Sequence, residues 1–452
     1  MQRYALRRMI LGLSILPLAP LAPAQARQED HPIDLAYARQ CFDKARSDSD
    51  RDGGALWGIE LYGPYLFADR ATRFVVANHP DAEGLLAPEG GVYIGTMPDS
   101  VNIANTAMRW AGVEWTMVAW PVPGDEGARR QLLSHEMFHR IQDDLGLGMN
   151  APENTHLDER DGRLWMRLEW RALSAALAAE GGARQRAIED ALLFRAARRA
   201  MYPQRAGDER ALELNEGLAE YTGMVVGRPT RADRIAAAIA ALKRYDGRPN
   251  FVRSFAYASG PPYGLLIDEK QAGWTRSLTP ESDFGEILAR AYGIEMPASA
   301  QAVESAARAR FVHYDGDAAL AEEDARHEAF VRQQAEFKAR FIDGPRLIVP
   351  MTGQTSYSFD PNGVKSFGDR GSVYLTARVT GEWGILEVTA GGALFARTED
   401  SMHIVIPAPA ALPASSEGAE ATLAGDGYTL KLPEGWMLRR DVDGDLIVAR
   451  RE

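Results

Sequence analysis

Hydrophobic and polar positions change their period twice along this chain. Between Ala55 and Trp120 the apolar residues come in short β-like runs: Ala55 to Tyr62, Phe74 to Ala77, Gly91 to Thr96 and Trp115 to Trp120. Turn residues separate them, including Gly63-Pro64, His79-Pro80 and Pro88-Glu89-Gly90-Gly91, so the pattern predicts a twisted, mostly antiparallel sheet. From about Asp125 to Phe341 the spacing becomes helical and alanine, leucine, arginine and glutamate dominate. The predicted helices run from Glu126 to Leu145, Gly162 to Ala179, Arg184 to Met201, Glu209 to Met224, Arg231 to Leu242 and Ala318 to Phe341, and Gly181-Gly182 joins two of them into a hairpin. Asp343-Gly344-Pro345 stops the last helix. Strand-like runs return at Arg346 to Val349, Ser372 to Val379, Gly384 to Val388 and His403 to Ile406. A Pro/Ala/Ser-rich stretch from Pro407 to Ser416 then leads to Tyr428 to Leu432 and Asp445 to Ala449, so the end of the chain reads as a β-sandwich-like module.

The expected class is therefore α+β. Residues 27–124 form a β-rich first part, 125–342 a helical part, and 346–452 the C-terminal β-rich module. With 452 residues, 46% of them hydrophobic and 25% charged, the chain has ordinary globular composition and excludes disordered and collagenous classes. Residues 1–26 stand apart. Arg3, Arg7 and Arg8 precede an apolar stretch from Met9 to Ala22 that Pro17 and Pro20 interrupt, and Ala24-Gln25-Ala26 is a small-x-small cleavage site. This reads as a signal peptide and implies export to the periplasm or beyond, by the general secretory or the twin-arginine route. Its removal takes three arginines and shifts the formal charge from −12 to −15. So acidic a chain is not expected to bind nucleic acid. No later apolar run is long enough for a membrane span. The single cysteine, Cys41, excludes an internal disulfide and any cysteine-based metal cluster, and reads as a small buried hydrophobe.

The sharpest chemistry is His135-Glu136-Met137-Phe138-His139 within a predicted helix. Histidines four apart share one helical face and can reach one ion, with Glu136 beside them to take a proton from water. A catalytic zinc needs a third protein ligand. A third histidine six residues past the second is excluded, because that position is Leu145. A glutamate from a later helix is the other route, and Leu214-Asn215-Glu216-Gly217-Leu218-Ala219-Glu220-Tyr221 supplies one. On their own, Glu216 and Glu220 would read as a solvated helix face. Beside the histidines, Glu216 reads as the third ligand, Gly217 and Ala219 as residues that let its helix approach the first, and Glu220 as an acceptor that orients a ligating imidazole. His31, His79, His156, His313, His327 and His403 lack partners at ligand spacing and read as structural or surface residues.

The two segments resemble the gluzincin zinc metallopeptidases, the group containing thermolysin-like and aminopeptidase N-like enzymes. Asn215-Glu216-Gly217-Leu218-Ala219 is similar to the Asn-Glu-Gly-Phe-Ala segment of the latter, and Tyr257-Ala258-Ser259-Gly260 to its Tyr-x-x-Gly segment. The resemblance spans roughly residues 110–275. It implies a zincin-type catalytic domain, one zinc ion held by His135, His139 and Glu216, Glu136 as general base, Glu220 behind a ligand, and Tyr257 stabilising the transition state, with Tyr263 as the alternative. Pro261 and Pro262 would open the helix after Tyr257. It also implies that the strand before the catalytic helix, through Thr116, Met117 and Val118, is an edge that pairs with an extended peptide or protein substrate. The chain departs from aminopeptidase N-like enzymes in the 76 residues between His139 and Glu216, which the predicted hairpin fills, and in lacking their Gly-x-Met-Glu-Asn segment. Hydrolysis of peptide bonds is the expectation. A catalytically silent relative acting as an exported binding protein is the alternative.

Overall fold

The chain folds as α+β, with a six-strand sheet in its first part, a run of ten helices, and β-rich sheets at the end. The structure, a computed structural model, describes residues 31–451 except 352, 354, 361, 362, 398–401, 410–419 and 443. The signal peptide expected at residues 1–26 and most of the Pro/Ala/Ser-rich stretch lie outside the described residues. Among these, no helix is long and apolar enough to cross a membrane. The chain divides into two compact units that do not follow chain order. The first holds the described residues up to Pro152 with Arg210–Ala240 and Ala256–Ala291; the second holds Glu153–Glu209, Ala241–Phe255 and Tyr292 onward.

The first unit opens with a helix, α1 (Leu35–Asp52), where only strands were expected. Asp34 caps it by accepting from the Tyr37 amide, and Gly53 ends it in the left-handed region at φ 56°. Its buried positions Ala38, Cys41, Phe42 and Ala45 have helical spacing, which the frequent charges around them obscure. The strand expected at Ala55 to Tyr62 does not form. Gly53, Gly54 and Gly58 all take positive φ there, and the segment is a series of turns. The sheet comprises β1 (Tyr65–Asp69), β2 (Phe74–Ala77), β3 (Ala87–Glu89), β4 (Val92–Thr96), β5 (Thr106–Trp110) and β6 (Val113–Trp120), in the order β3-β4-β2-β1-β6-β5. It is antiparallel except where β1 runs parallel to β6, with Leu66 opposite Met117. Ala111 and Gly112, at φ 47° and 75°, make the two-residue turn between β5 and β6. One face buries Leu66, Ala68, Val75, Ala77, Trp115 and Met117. The other presents Tyr65 and Phe67, and Phe67 stacks on Phe42 of α1 with ring centroids 4.6 Å apart.

The helices follow as α2 (Glu126–Ile141), α3 (Arg160–Ala178), α4 (Gly181–Met201), α5 (Ala206–Leu212), α6 (Leu218–Gly227), α7 (Arg231–Asp246), α8 (Ser254–Ile267), α9 (Phe284–Tyr292), α10 (Ala300–Ala309) and α11 (Gly316–Lys338). The helix expected from Glu209 to Met224 is α5 and α6, joined by one π-helical turn at Glu213–Gly217. In the second unit, α3 and α4 form the expected hairpin. Buried Arg198 of α4 pairs with Glu169 of α3, and Arg163 and Arg167 of α3 pair with Glu323 of α11.

The remaining strands are β7 (Arg346–Pro350), β8 (Ser356–Phe359), β9 (Val364–Ser366), β10 (Ser372–Tyr374), β11 (Ala377–Gly381), β12 (Gly384–Val388), β13 (Ala393–Arg397), β14 (Met402–Pro407), β15 (Ala421–Gly425), β16 (Tyr428–Leu432), β17 (Trp436–Arg440) and β18 (Leu446–Arg450). They form a seven-strand sheet, β17-β18-β7-β14-β13-β10-β9, and a five-strand sheet, β15-β16-β12-β11-β8. The run expected as one strand from Ser372 to Val379 breaks after Tyr374, and its halves lie in different sheets. Leu347, Ile404 and Val448 of the first sheet share one core with Val379, Leu386 and Leu430 of the second. The other face of the seven-strand sheet covers Val373, Leu394 and Val405 with Phe337 and Phe341.

Candidate metal centre

The first unit fixes α2 in place before it offers any chemistry. Asp125 caps α2 by accepting from the Ala128 amide at 2.7 Å. Leu133, Met137, Phe138 and Ile141 are buried along it. Arg130 makes two 2.7 Å hydrogen bonds to the buried Asp48 carboxylate of α1. Phe138 packs on Trp57 with ring centroids 4.8 Å apart. On the helix so held, His135 and His139 sit one turn apart, and their Nε2 atoms lie 3.1 Å from each other.

Glu216 reaches the same place from the π-helical turn. One extra residue per turn shifts the helical face locally, a device common at functional sites. Glycines allow the close crossings that aim it. A Cβ on Gly223 would stand 2.5 Å from the Gln131 carbonyl oxygen, and one on Gly227 2.7 Å from the Gln131 nitrogen, so α6 crosses α2 backbone to backbone. The expectation that Gly217 makes this approach is corrected. Gly217 faces α8, where a Cβ on Gly260 would lie 2.2 Å from the Gly217 carbonyl oxygen. Glu216 Oε2 thereby comes within 3.7 Å of His135 Nε2 and 3.6 Å of His139 Nε2. A point equidistant from the three donor atoms lies roughly 2.0 Å from each, a zinc–nitrogen or zinc–oxygen bond length, and a tetrahedral ion with such bonds spaces its ligands about 3.4 Å apart. Two imidazoles and one carboxylate are also the donor types that suit zinc.

The charges favour a cation at that point. Burial works against a proton on His135, but the carboxylates of Glu216, Glu220 and Glu136 outweigh it and push its pKa up to about 10. Burial would raise Glu216, yet the two imidazoles beside it and the Tyr257 hydroxyl hold it well below the ordinary carboxylate range. Glu136 is different. Burial raises it, the two histidines only partly offset that, and its Oε2 is buried without a hydrogen-bond partner. Its Oε1 stands 4.0 Å from His135 Nε2, beside the donor triangle. The residue best suited to accept a proton is thus the one that makes no strong contact.

A second layer holds the imidazoles. His135 Nδ1 lies 2.9 Å from Glu220 Oε2 and His139 Nδ1 3.0 Å from Gln142 Oε1. Glu220 was legible in the sequence. Gln142 was not, although its place three residues after His139 puts it on the same helical side. Tyr257 stacks on His135. Tyr263 is fully buried, with its ring 6.1 Å from Phe284. Pro261 and Pro262 lie inside α8, not at the start of a helix after Tyr257. Close packing of Gly260 and Gly264 against Gly217 and Tyr221 holds that helix through both prolines. The strand expected as a free edge is also corrected. β6 pairs with β1 on one side and β5 on the other, which leaves Thr116, Met117 and Val118 buried and makes β5 the edge strand on that side of the sheet.

Among the other histidines, His31 bonds Glu89 at 2.8 Å and buried His156 bonds Glu209 at 2.9 Å, each a pair and not a ligand set. Among the described residues, the one group of three potential metal-binding side chains clustered on a single element is His135, Glu136 and His139 on α2. Comparison of the chain with protein-family models, with curated proteins and with solved structures finds no match.

Proposed function

We propose that this protein is an exported zinc-dependent peptidase of zincin type, with a β-sandwich-like C-terminal module. The observation that carries the reading is the triangle of His135 Nε2, His139 Nε2 and Glu216 Oε2, with sides of 3.1, 3.6 and 3.7 Å, built from two elements far apart in sequence. A zinc ion held there supplies Lewis-acid polarisation of a water and a peptide carbonyl. Glu136 accepts the proton of the attacking water and delivers it to the leaving amine, because its raised pKa and unpartnered oxygen suit both transfers. The Tyr257 hydroxyl, on the Glu216 side of the site, donates to the oxygen on which negative charge develops. An extended peptide adds to the sheet at its edge strand β5, next to the strand that leads into α2.

The test is elemental analysis of the purified mature protein together with a cleavage profile over an unbiased peptide library. The expected result is one zinc per chain and cleavage that stops with a chelator and returns with zinc. A protein that takes up no zinc would end the proposal. Full zinc content without cleavage of any peptide would favour the silent, ligand-binding alternative.

A further inference from the structure

A neutral imidazole offers a lone pair from only one nitrogen, so a two-histidine site works only if both rings carry their proton on the far side. The residues behind His135 and His139 settle that question from groups whose polarity cannot change. A backbone carbonyl only accepts and a guanidinium only donates.

Gln142 is fully buried. Its Nε2 donates to the Gly148 carbonyl. The amide oxygen must then face His139 Nδ1, at 3.0 Å, and an oxygen there can only accept. His139 Nδ1 therefore bears the hydrogen and Nε2 bears the lone pair. On the other side, Arg228 Nε donates to Gln131 Oε1 at 2.9 Å. That turns Gln131 Nε2 toward Glu220 Oε1, to which it donates at 2.7 Å. The second oxygen of Glu220 accepts from His135 Nδ1 at 2.9 Å. Each chain passes through one glutamine, and the two end on Nε2 atoms 3.1 Å apart. The crossing of α6 over α2 at Gly223 and Gly227 is what brings Gln131 beside Glu220.

We infer that Gln142, anchored by Gly148, and Gln131, anchored by Arg228, are positioning residues that lock both histidines as Nδ1–H tautomers with their Nε2 lone pairs on one point. The inference rests on the metal site proposed above and adds what sets its donor atoms. The two glutamines are not equivalent. Gln142 needs an acceptor toward its histidine, which a carboxylate also provides. Gln131 needs a donor toward a carboxylate, which a carboxylate cannot provide.

That difference gives a test that packing alone would not reproduce. Zinc affinity is measured by competition with a chromophoric chelator for the wild type and for Gln142→Leu, Gln131→Leu, Gln142→Glu and Gln131→Glu, with circular dichroism to establish folding. Loss of an outer hydrogen-bond partner weakens metal binding by roughly 10- to 100-fold, and that loss is expected in both leucine variants. Gln142→Glu restores most of the affinity and Gln131→Glu does not. Should a leucine variant fail to fold, the isosteric glutamate pair decides alone. Wild-type affinity in both leucine variants, or equal rescue by both glutamates, would overturn the inference. Nitrogen-15 spectra of histidine-labelled, zinc-free protein provide a second readout, with His139 expected as the Nδ1–H tautomer in the wild type and as a mixture in Gln142→Leu. If the wild type takes up no zinc but His139 still shows that tautomer, the peptidase reading falls and the positioning role stands. If zinc binds and the variants change nothing, the reverse holds.

Discussion

Tyr257 lies flat on His135, with ring centroids 5.7 Å apart and 6° between the planes, and its hydroxyl hydrogen-bonds the Glu216 carboxylate. One side chain from α8 thus touches a histidine from α2 and the glutamate from the π-helical turn. The ring contact fixes where the hydroxyl points. The Gly217–Gly260 crossing, three residues further along α8, fixes where the ring stands.

Replacing Tyr257 with Phe keeps the ring on His135 and removes the hydroxyl. If that hydroxyl stabilises developing charge, kcat falls by about 10²-fold while zinc content and KM stay near wild type. Steady-state kinetics with parallel zinc analysis would check this. An unchanged kcat with weakened zinc binding would instead make Tyr257 a brace for the ligands.

Glu136→Gln removes the proposed general base while preserving size. The variant should retain zinc, because Glu136 stands beside the donor triangle and Glu216 completes it. Hydrolysis should fall by at least about 10²-fold, the lower end of what a positioned general base contributes. Zinc stoichiometry and turnover on one cleaved peptide suffice to test this, and wild-type turnover would remove Glu136 from the mechanism.

Two helical glycines should respond oppositely to alanine. A Cβ at Gly223 would sit 2.5 Å from the Gln131 carbonyl oxygen, so α6 must move off α2. Gly223→Ala should lower unfolding stability by about 1–3 kcal/mol, as overpacking does, and weaken zinc binding through Gln131 and Glu220. Gly207 of α5 is exposed, and a Cβ there meets nothing within 4 Å. Gly207→Ala should be stabilising by roughly 0.5–1 kcal/mol. Urea unfolding of both variants distinguishes a steric requirement at Gly223 from a general sensitivity of these helices to alanine.

What the sequence disclosed, and what it withheld, follows from the range of each signal. The spacing of His135 and His139 is local, and a helix there brings them together whatever surrounds it. Strands β2, β12 and β16 were legible from short alternating or apolar runs at Phe74–Ala77, Gly384–Val388 and Tyr428–Leu432. Helix α1 was missed because arginine, aspartate and lysine interrupt its apolar stripe. Ala55 to Tyr62 was misread because apolar residues in turns look like a strand when their glycines are ignored. That β6 is internal, and that Gly223 rather than Gly217 meets α2, depends on partners remote in sequence. No periodicity carries that information. Gln131 and Gln142 were missed for the same reason, since an amide becomes informative only when its acceptor and donor are seen.

In the second unit, Glu209 predicts how the protein responds to acid. It is buried, and its carboxylate accepts from His156 Nε2 at 2.9 Å, Arg198 Nε at 2.8 Å and Arg199 Nε at 3.1 Å. Burial alone would raise its pKa, but the charge of Arg198, hydrogen bonds from His156 and Arg198, and the charge of Arg199 hold it well below the usual 4.5. A carboxylate depressed on folding contributes stability that is fully present above its unfolded pKa and is lost as pH falls through that value toward the folded one. Urea unfolding should therefore show wild-type stability falling steeply below about pH 4.5, with Glu209→Gln falling less. At neutral pH the variant should be less stable by about 3 kcal/mol, because the buried Arg198 guanidinium loses a charged partner. The gap between the two proteins should narrow as acid protonates the wild-type carboxylate. Parallel acid profiles in the two would show that Glu209 does not carry the acid response.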